Sequence, residues 1–381
     1  MTGSLQGPYD VAVVGAGIVG LAHALAAARL GKRVVVVDRD AQANGASVRN
    51  FGFVTVTGQA RGETWARARR SREVWAEIAP QAGIEIVQRG MLLATRRPES
   101  SELVAAFLQS EMGASCDQLG ADEARARLPH IGASITGALW SPHELRVESR
   151  TAIPRLAAWL AESFGVAFLR GVAVLGAGGG RLETTRGEIA AKALVVCPGD
   201  DLATLFPGRI AAHKVRRCRL QMLRLSDPGF RLPGAVMSDL GLIRYLGYAE
   251  LPEASALRRR LELEQADHLR NGVHLIVVQS ADGSLVVGDS HHYAETPEPF
   301  ASTLVDNLIL DEYAHVLGPP PPVLDRWIGT YAVADQPAFV DAPEPSVRLV
   351  MVTSGTGAST AFGLAEEVIG DLFGVRMGAA A

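Results

Sequence analysis

The order of apolar and polar positions at the start of the chain predicts a strand, a helix and a second strand. Residues 11–14 are an apolar run, an alanine-rich stretch continues to Gly31, and residues 33–37 form a second strand pattern that ends at Asp38. A later run at 193–197 is apolar throughout, which is typical of a strand buried on both faces of a parallel sheet. The sheet that begins the chain therefore resumes late in it, which predicts a discontinuous domain.

The rest of the chain alternates between helical and strand-like segments, and its end repeats the strand, loop and helix order of its start. An apolar strand at 347–352 leads into a loop of Gly, Ser and Thr at 353–360 and then into a helix, and residues 281–284 predict a hairpin turn. The other predicted helices are 62–79, 100–112, 121–128, 151–164, 255–270 and 300–316, and the other predicted strands are 84–95, 137–140, 165–169, 172–174, 220–223, 242–245, 274–279, 284–288 and 326–331.

The loop after the first strand has the spacing Gly-x-Gly-x-x-Gly, formed by Gly15, Gly17 and Gly20. Gly15 permits a tight turn, Gly17 allows a pyrophosphate to approach the backbone, and Gly20 allows the helix to pack closely on the strand. The unpaired N–H groups at the helix N-terminus favour phosphate, and Asp38 is placed to accept hydrogen bonds from ribose hydroxyls. With its flanking strands, the motif predicts a dinucleotide site.

The closing loop at 353–360 has no downstream acidic residue and no second strand–helix–strand unit. A second dinucleotide is therefore not expected there. A helix N-terminus can, however, stabilise the negative charge of a reduced isoalloxazine ring. The two ends of the chain together predict that the nucleotide is FAD, extended between them.

Composition excludes several classes of protein. The chain has 381 residues, of which 48% are hydrophobic, and a net charge of −4, so no basic excess indicates nucleic acid. No apolar run is long enough for a transmembrane helix, and residues 1–8 lack the regions of a signal peptide, so we expect a cytoplasmic location. Cys116, Cys197 and Cys218 lack metal-ligand spacing and are expected to be reduced thiols, and no metal is expected.

These motifs, in this order, resemble the superfamily that contains D-amino-acid oxidase, glycine oxidase and sarcosine oxidase, the DAO family. The resemblance is carried by the fingerprint at 15–38, the strand at 195–199, the hairpin at 282–288 and the loop at 354–360. It implies an α/β fold, with a Rossmann-like FAD-binding domain and an inserted antiparallel β-sheet substrate domain as in glycine oxidase. The FAD-binding domain would comprise 1–80, 150–214 and 330–381, and the substrate domain 81–149 and 215–329.

Segments 46–52 and 288–293 also resemble a subgroup associated with aminophosphonate breakdown. Sarcosine oxidases attach FAD through a cysteine whose place falls near Gly329, so the FAD is expected to be non-covalent. Glycine oxidase has a carboxylate-clamping arginine where this chain has Tyr331, which disfavours a plain α-amino acid substrate. The lysine that helps sarcosine oxidase use oxygen falls near Val286, which leaves O₂ or another electron acceptor open.

Two groups of residues are expected at the site. The cofactor-binding group is Gly15, Gly17, Ile18, Val19, Gly20, Asp38, Arg39, Ser47, Arg49, Asn50, Val172, Gly199, Gly355, Thr356, Gly357, Ala358 and Ser359. The group expected to act on substrate is Arg49, Arg244, Tyr245, His291, His292 and Tyr331. Further candidates, each with an ordinary structural role as the alternative, are His143, Arg146, Lys214 and Tyr248.

The predicted reaction is the FAD-dependent oxidation of a small amine, in which hydride passes to flavin N5 and the resulting imine is hydrolysed to an aldehyde or keto product. A phosphonate suits several scattered cations, so the favoured substrate is 2-aminoethylphosphonate or its N-methyl form. The alternatives are an oxidase of glycine or sarcosine, a flavin-dependent monooxygenase suggested by the Gly-Asp pair at 288–289, a dehydrogenase that reduces a quinone or protein, and a non-catalytic flavoprotein. The expected partners are a small-molecule amine and an electron acceptor, without nucleic acid or membrane, and the oligomeric state stays open.

Overall fold

The computed structural model describes residues 8–377. Residues 1–7 and 378–381 lie outside the described residues. The prediction that residues 1–8 are not a signal peptide falls mostly on them, as do the first and last residues of the predicted FAD-binding domain. None of the helices in the described range combines the length and the apolar character needed to cross a bilayer.

The strands, in chain order, are β1 (Tyr9–Val14), β2 (Val34–Asp38), β3 (Phe53–Val54), β4 (Ile86–Thr95), β5 (Asp117–Gly120), β6 (Gly137–Val147), β7 (Ala167–Arg170), β8 (Val174–Gly178), β9 (Arg181–Thr184), β10 (Gly187–Val196), β11 (Arg216–Leu225), β12 (Ala235–Ser238), β13 (Ile276–Gln279), β14 (Leu285–Gly288), β15 (His292–Ala294), β16 (Val323–Glu344) and β17 (Val347–Ser354). The helices are α1 (Ile18–Arg29), α2 (Glu63–Gln81), α3 (Pro98–Leu108), α4 (Ala121–Arg127), α5 (Ser149–Phe164), α6 (Pro207–Ala212), α7 (Leu246–Ala249), α8 (Ala254–Glu264), α9 (Ala266–Arg270), α10 (Thr303–Leu317) and α11 (Gly357–Phe373).

Five strands form a parallel sheet in the order β17–β10–β1–β2–β7. Val11 of β1 lies between Ala193 of β10 and Val34 of β2, so the run at 193–197 does return to the sheet that begins the chain. These strands are apolar because both faces are covered: α1, α2, α5 and α11 pack on one face, and β8, β9 and α6 pack on the other.

The other strands form a mostly antiparallel sheet. Strand β11 pairs with β14, β15 and β16, β13 lies between β14 and β12, and β6 pairs with β3, β4 and β5, all antiparallel. One pair departs from the predicted antiparallel sheet, because β4 and β12 run parallel, with Leu92 beside Val236. A parallel pair needs a long crossover, and the chain between Thr95 and Ala235 provides it.

The long strand β16 belongs to both sheets. Its first half pairs with β11, where Tyr331 lies beside Cys218, and its second half pairs with β17, where Phe339 lies beside Met351. The register shifts between Val333 and Ala338, where β16 passes from one sheet to the other. Tyr331 is therefore held close to the boundary between the sheets.

The buried apolar residues group around the two sheets. Two clusters cover the faces of the parallel sheet, and two more surround the second sheet. Phe51 and Phe53 pack in a cluster of the second sheet, although the predicted boundary places them in the FAD-binding domain. The predicted α/β class, with a parallel sheet and an inserted β-rich part, is confirmed, and the domain boundaries stay a prediction.

The prediction of a strand at 242–245 is wrong. The segment instead contains the end of a 3-10 helix, Asp239–Ile243, followed by a turn. The Asp239 carboxylate is buried and accepts hydrogen bonds from Arg97 Nη1 at 2.8 Å and Ser100 Oγ at 2.7 Å. This buried polar anchor holds the backbone in a helical turn despite the apolar, strand-like composition of the residues that follow.

Two other segments differ from the predicted pattern. The helix predicted at 255–270 is divided into α8 and α9 at Gln265, whose side chain turns inward to bond Arg97 and Glu312, both at 2.6 Å. The strand predicted at 137–140 continues as β6 to Val147, because β3 and β4 pair with its second half. Both differences arise from partners that are distant in the sequence.

Candidate active site

A cavity of about 480 Å³ lies between the two sheets. Stretches that are distant in the sequence form its wall, among them the glycine loop before α1, residues 46–53, residues 244–246, the open end of the β13–β14 hairpin, the middle of β16 and the loop before α11. The predicted residues that line it are Gly17, Ile18, Val19, Gly20, Ser47, Arg49, Asn50, Gly199, Arg244, Tyr245, His291, Tyr331, Gly355, Thr356, Gly357, Ala358 and Ser359. The cavity thus contains most of both predicted groups.

The glycine loop is shaped by close backbone contacts. Gly15 has a φ of +97°, and a side chain there would collide with the carbonyl oxygen of Cys197. A Cβ on Gly17 would lie 3.0 Å from Ser47 Oγ, and that hydroxyl accepts a hydrogen bond from the Ile18 N–H at 2.9 Å. This hydrogen bond from Ile18 to Ser47 therefore fixes the start of α1 against the loop at 46–50.

The residues predicted at the adenosine end lie together at the end of β2. Asp38 Oδ2 accepts a hydrogen bond from the Ala16 N–H at 2.6 Å, and the Asp38 carbonyl accepts one from the Val172 N–H at 3.0 Å. Arg39 reaches Asp201 at 2.9 Å. Asp38, Arg39 and Val172 lie outside the cavity wall, beyond the glycine loop.

The closing loop forms the opposite wall. Gly355 has a φ of +72°, and a Cβ there would lie 3.0 Å from Cζ of the Tyr331 ring. The Ser354 and Thr356 hydroxyls are 2.7 Å apart, and the Ser359 hydroxyl accepts a hydrogen bond from the Thr55 N–H at 2.8 Å. Helices α1 and α11 both begin at this cavity without a hydrogen bond from the side chain of the N-cap residue, although Ser47 pairs the Ile18 N–H of α1. The other N–H groups at the two helix starts and the positive dipole ends remain available to a ligand.

Residues 46–50 form a short 3-10 helix and a turn beside these two loops. The Arg49 guanidinium donates to Asn44 Oδ1 at 3.0 Å, and the Arg49 carbonyl accepts from Trp327 Nε1, also at 3.0 Å. The Asn50 amide group folds back onto its own loop, donating to the Ala46 carbonyl at 2.6 Å. Asn50 thus shapes the loop with its side chain, whereas Arg49 keeps a charged group at the cavity.

Arg244 supplies the other cation of the cavity. Within residues 8–377 its guanidinium has a hydrogen bond to the Tyr293 hydroxyl, at 3.3 Å, and no ion pair with a carboxylate. Burial opposes its charge, but the nearby phenol groups of Tyr331 and Tyr293 and the Asp289 carboxylate outweigh burial and raise the pKa of Arg244. Arg244 therefore stays positive in a cavity where an anionic ligand can reach it.

Two phenol groups stay protonated beside Arg244. Burial raises the pKa of Tyr331 well above its ordinary value, and the adjacent Cys218 thiol adds to the rise. Burial likewise raises the pKa of Tyr245, with a further contribution from Asp289. Both hydroxyls are thus hydrogen-bond donors at any physiological pH.

His274, Asp289 and His291 form a buried group on the cavity wall, which we call the acceptor cluster. His274 Nδ1 lies 3.3 Å from Asp289 Oδ1, and His291 Nε2 lies 3.8 Å from Asp289 Oδ2. Burial raises the pKa of Asp289 to about 7, against the opposing effect of Arg244. Burial and the charge of Arg244 hold the pKa values of both histidines well below the ordinary value, so both are neutral.

Several predicted residues are not brought to the cavity. His292 lies on β15 and its Nε2 faces Asn271 Oδ1 at 3.2 Å, so the structure offers no geometry for its predicted role on substrate. Arg146 is buried in an ion pair with Glu148 at 2.9 Å. The remaining candidates outside the cavity wall are His143, Lys214 and Tyr248.

Sequence reasoning missed His274 and Asp289 as site residues. A signal for them existed, because the hairpin turn at 281–284 fixes the pairing of β13 with β14, in which Ile276 faces Gly288. Polar residues just outside that pair must meet at the open end of the hairpin, and His274 and Asp289 exchange backbone hydrogen bonds there, at 3.0 and 3.3 Å. The burial of this end could not be read from the pattern.

Comparison with known protein families identifies the family to which the chain belongs. The profile of the family described as FAD dependent oxidoreductase, DAO, matches residues 10–370. The chain belongs to this family. No curated protein matches the chain in sequence.

Solved structures share the fold at low sequence identity. Glycine oxidase from Geobacillus kaustophilus superposes with a TM-score of 0.78 at 19% identity, covering 98% of this chain and 96% of that chain. L-amino acid deaminase from Proteus vulgaris gives 0.76 at 18% identity over 100% and 94%. L-proline dehydrogenase from P. horikoshii gives 0.75 at 17% identity over 95% and 92%. At these identities the likeness establishes the fold alone.

The cavity fits the FAD that the family uses. Its glycine loop leaves no room for side chains where a pyrophosphate must approach, and two uncapped helix N-termini face the same space. The residues that would hold the cofactor are those of the glycine loop, Ser47, Arg49 and Gly355 to Ser359, with Asp38 at the adenosine end. When bound, the flavin supplies a hydride acceptor. The protein is thus an FAD-dependent oxidoreductase, and its cavity residues determine what can be oxidised.

Proposed function

We propose that this FAD-dependent oxidoreductase oxidises the C–N bond of a small amine that carries an anionic group. The favoured substrate is 2-aminoethylphosphonate or its N-methyl form, which would yield an imine that water hydrolyses to an aldehyde. The observation that carries the proposal is the Arg244 guanidinium, which lies in the cavity with no carboxylate partner among residues 8–377. A half-buried cation without an ion-pair partner favours an anion on the ligand.

Amine oxidation is supported by the family and by the names of the structural neighbours. The structural neighbours named glycine oxidase, L-amino acid deaminase and L-proline dehydrogenase all take their names from nitrogen-bearing compounds. The cavity of about 480 Å³ must hold the flavin ring as well as the substrate, so the space left favours a small molecule. The cavity also holds the acceptor cluster, which suits an amine better than an alcohol.

The nature of the anion is supported by the spread of donors around the cavity. A carboxylate is best held by one arginine fork, and Tyr331 stands where the resemblance places that arginine in glycine oxidase. Here Arg244, Tyr245 and Tyr331 each offer a donor group on the cavity wall, and Arg49 lies on the loop by the flavin site. A phosphonate has three acceptor oxygens and matches such a set.

Product analysis tests the proposal. Purified enzyme is incubated in air with 2-aminoethylphosphonate, its N-methyl form, glycine or sarcosine, and the products are followed by phosphorus NMR, aldehyde trapping and a peroxide assay. We expect a phosphonoaldehyde from the two phosphonates, together with peroxide if O₂ is the acceptor. Much faster turnover of glycine or sarcosine would instead establish an amino acid oxidase. NADPH consumption with substrate would establish a monooxygenase, and aldehyde formed only with an added acceptor would establish a dehydrogenase.

A further inference from the structure

The acceptor cluster contains buried polar atoms with no partner. Within the described residues, His274 Nδ1 and Asp289 Oδ1 form no hydrogen bond, although each is shielded from solvent and the two are 3.3 Å apart. An unpaired buried polar atom costs about 1–3 kcal/mol. Such atoms in a cavity wall point to a ligand that supplies the missing hydrogen bond.

The tautomer of His291 shows what kind of ligand this is. Its Nδ1 lies 2.9 Å from the Gly272 carbonyl oxygen, which can only accept, so Nδ1 carries the proton. A neutral His291 then has a bare Nε2, and this atom faces Asp289 Oδ2 at 3.8 Å. When Asp289 is ionised, two acceptors therefore face each other, and a proton donor placed at the cluster would satisfy both.

The three side chains are close enough to share one donor. Ligand atoms of His274, Asp289 and His291 all lie within 4.8 Å of one another. Acceptors in tetrahedral directions around an ammonium nitrogen, at ~2.8 Å each, are about 4.6 Å apart. The three residues are therefore close enough for a single ammonium group to contact them together.

We infer that His274, Asp289 and His291 form an ammonium-binding and proton-accepting site for the substrate amine, an inference that rests on the proposed function. Asp289 provides the negative charge, the neutral His291 provides the lone pair of its Nε2, and His274 lies beside them as a neutral polar group. An N–H bond of the ammonium group then breaks, its electron pair stays on nitrogen, and an O–H bond forms on Asp289. The amine is left neutral, as oxidation of the adjacent carbon requires, while Arg244 holds the anionic end.

A divalent metal is the competing occupant of the same three residues. It would bring two positive charges beside the Arg244 guanidinium, with the single carboxylate of Asp289 to offset them. An ammonium group brings one charge, which Asp289 balances, and the second charge of a zwitterionic substrate is balanced by Arg244. The charges of the cavity therefore favour the ammonium group.

The site should bind ammonium better as Asp289 ionises. The charged and titratable groups that face Asp289 are Arg244, Tyr245, His274, His291, Tyr331 and Cys218. Of these, Arg244 stays positive, the histidines stay neutral, and the tyrosines and thiol stay protonated near neutral pH. Ionisation of Asp289, with its pKa of about 7, is therefore the event that changes the site between pH 6 and 8.

The test uses FAD-loaded enzyme and 2-amino-2-methylpropylphosphonate, which has no hydrogen on the carbon beside nitrogen and cannot be oxidised there. Its dissociation constant is read from the flavin spectrum at several pH values. We expect binding to tighten about tenfold between pH 6 and 8 in the wild type. Asp289→Asn should weaken binding roughly 30-fold at pH 8, and it should remove the pH dependence of tert-butylammonium binding, because this amine has no group that titrates between pH 6 and 8. Asp267→Asn, an exposed substitution on α9, is the matched control and should change neither.

Three further measurements keep the inference open to refutation. His274→Gln, a second variant in case Asp289→Asn does not fold, should weaken binding by a smaller factor. The trimethylammonium analogue keeps the positive charge but has no N–H, so it should bind the wild type more weakly and lose less affinity in Asp289→Asn than the primary ammonium does. Unchanged affinity and pH dependence in Asp289→Asn would overturn the assignment. Metal analysis that finds one metal ion per wild-type chain and none in Asp289→Asn would overturn it as well. If tert-butylammonium shows the same Asp289 dependence while no phosphonate binds, the ammonium site stands and the proposed anion is wrong.

Discussion

In the proposed function, Arg244 is the residue that binds the anionic end of the substrate by its charge. It is placed by the turn after the 3-10 helix Asp239–Ile243 and is positive without an ion-pair partner among the described residues. The second charge of the cavity, Asp289, is negative only when it loses a proton at a pKa of about 7. The two residues together describe a site for a zwitterion in which opposite ends are recognised separately.

Replacing Arg244 tests the anion half of this site. Arg244→Gln should raise the KM for 2-aminoethylphosphonate about 100-fold, because it removes a charge-assisted hydrogen bond in a buried cavity. The KM for propylamine, which has no anionic group, should stay within a factor of about three. Arg61→Gln, which removes an exposed guanidinium paired with Glu111, is the control. Equal losses for both amines would show that Arg244 acts on structure and not on the anion.

The raised pKa of Asp289 has a consequence for stability that is independent of catalysis. Its pKa is 3.8 in the unfolded chain and about 7 in the folded protein, so the folded state holds the extra proton between these values. The free energy of unfolding of the wild type should therefore fall, relative to Asp289→Asn, by up to ~1.4 kcal/mol per pH unit as pH rises from 4 to 7. Urea unfolding of both FAD-loaded proteins across this range measures it. A difference that is constant with pH would contradict the assignment.

At the scale of elements, two helices begin at one cavity. Helices α1 and α11 come from opposite ends of the chain and both start on glycine-containing loops without side-chain caps. Their unpaired N–H groups give the cavity positive potential at two places. The loop before α11 is additionally shaped by the Tyr331 ring, which packs against Gly355.

The loop before α11 can be tested with a pair of glycine substitutions. Gly355 and Gly374, at the two ends of α11, have similar φ values of +72° and +64°, but only Gly355 has a neighbour, the Tyr331 ring, within contact distance of an added Cβ. Gly355→Ala and Gly374→Ala should each lose ~1 kcal/mol of stability from backbone strain. Gly355→Ala should in addition weaken FAD binding about tenfold, measured by fluorescence titration of the deflavinated protein. Equal FAD affinity in the two variants would remove this loop from the cofactor site.

The strands of the parallel sheet could be predicted from the sequence because each is a continuous apolar run next to a glycine loop. The return of 193–197 to β1 followed from the same pattern. The segment 242–245 was predicted wrongly because its structure depends on the buried Asp239 and on Arg97, 142 positions away in the chain. A pattern read within a window of neighbouring residues does not contain that partner.

At the scale of the whole molecule, the cofactor should hold distant parts of the chain together. Gly17, Ser47, Arg49 and Gly357 line one cavity although they lie in three separate stretches of sequence. The motifs at both ends could be recognised because glycine loops have strict local requirements. The acceptor cluster was recognised only in part: His291 was predicted, but the burial of the end of the hairpin where His274 meets Asp289 could not be read from the sequence.

Hydrogen exchange can show whether FAD spans both walls. Adding FAD to deflavinated protein should slow amide exchange in the loops at 15–20 and 354–359 together, because ligand binding suppresses local opening where it makes contact. Helix α8 does not line the cavity and should exchange at an unchanged rate. Protection confined to 15–20 would contradict a cofactor extended between the two ends of the chain.

In the proposed function, this oxidoreductase oxidises an amine that carries a phosphonate. Anaerobic stopped-flow mixing of the FAD-loaded enzyme with 2-aminoethylphosphonate, its N-methyl form, glycine or sarcosine measures it directly from the bleaching of the flavin absorbance. We predict that at least one of the phosphonates reduces the flavin with an apparent second-order rate constant at least about 100-fold above those of glycine and sarcosine, the factor expected from one buried charge-assisted contact. Faster reduction by glycine or sarcosine, or no reduction by either phosphonate, would contradict it.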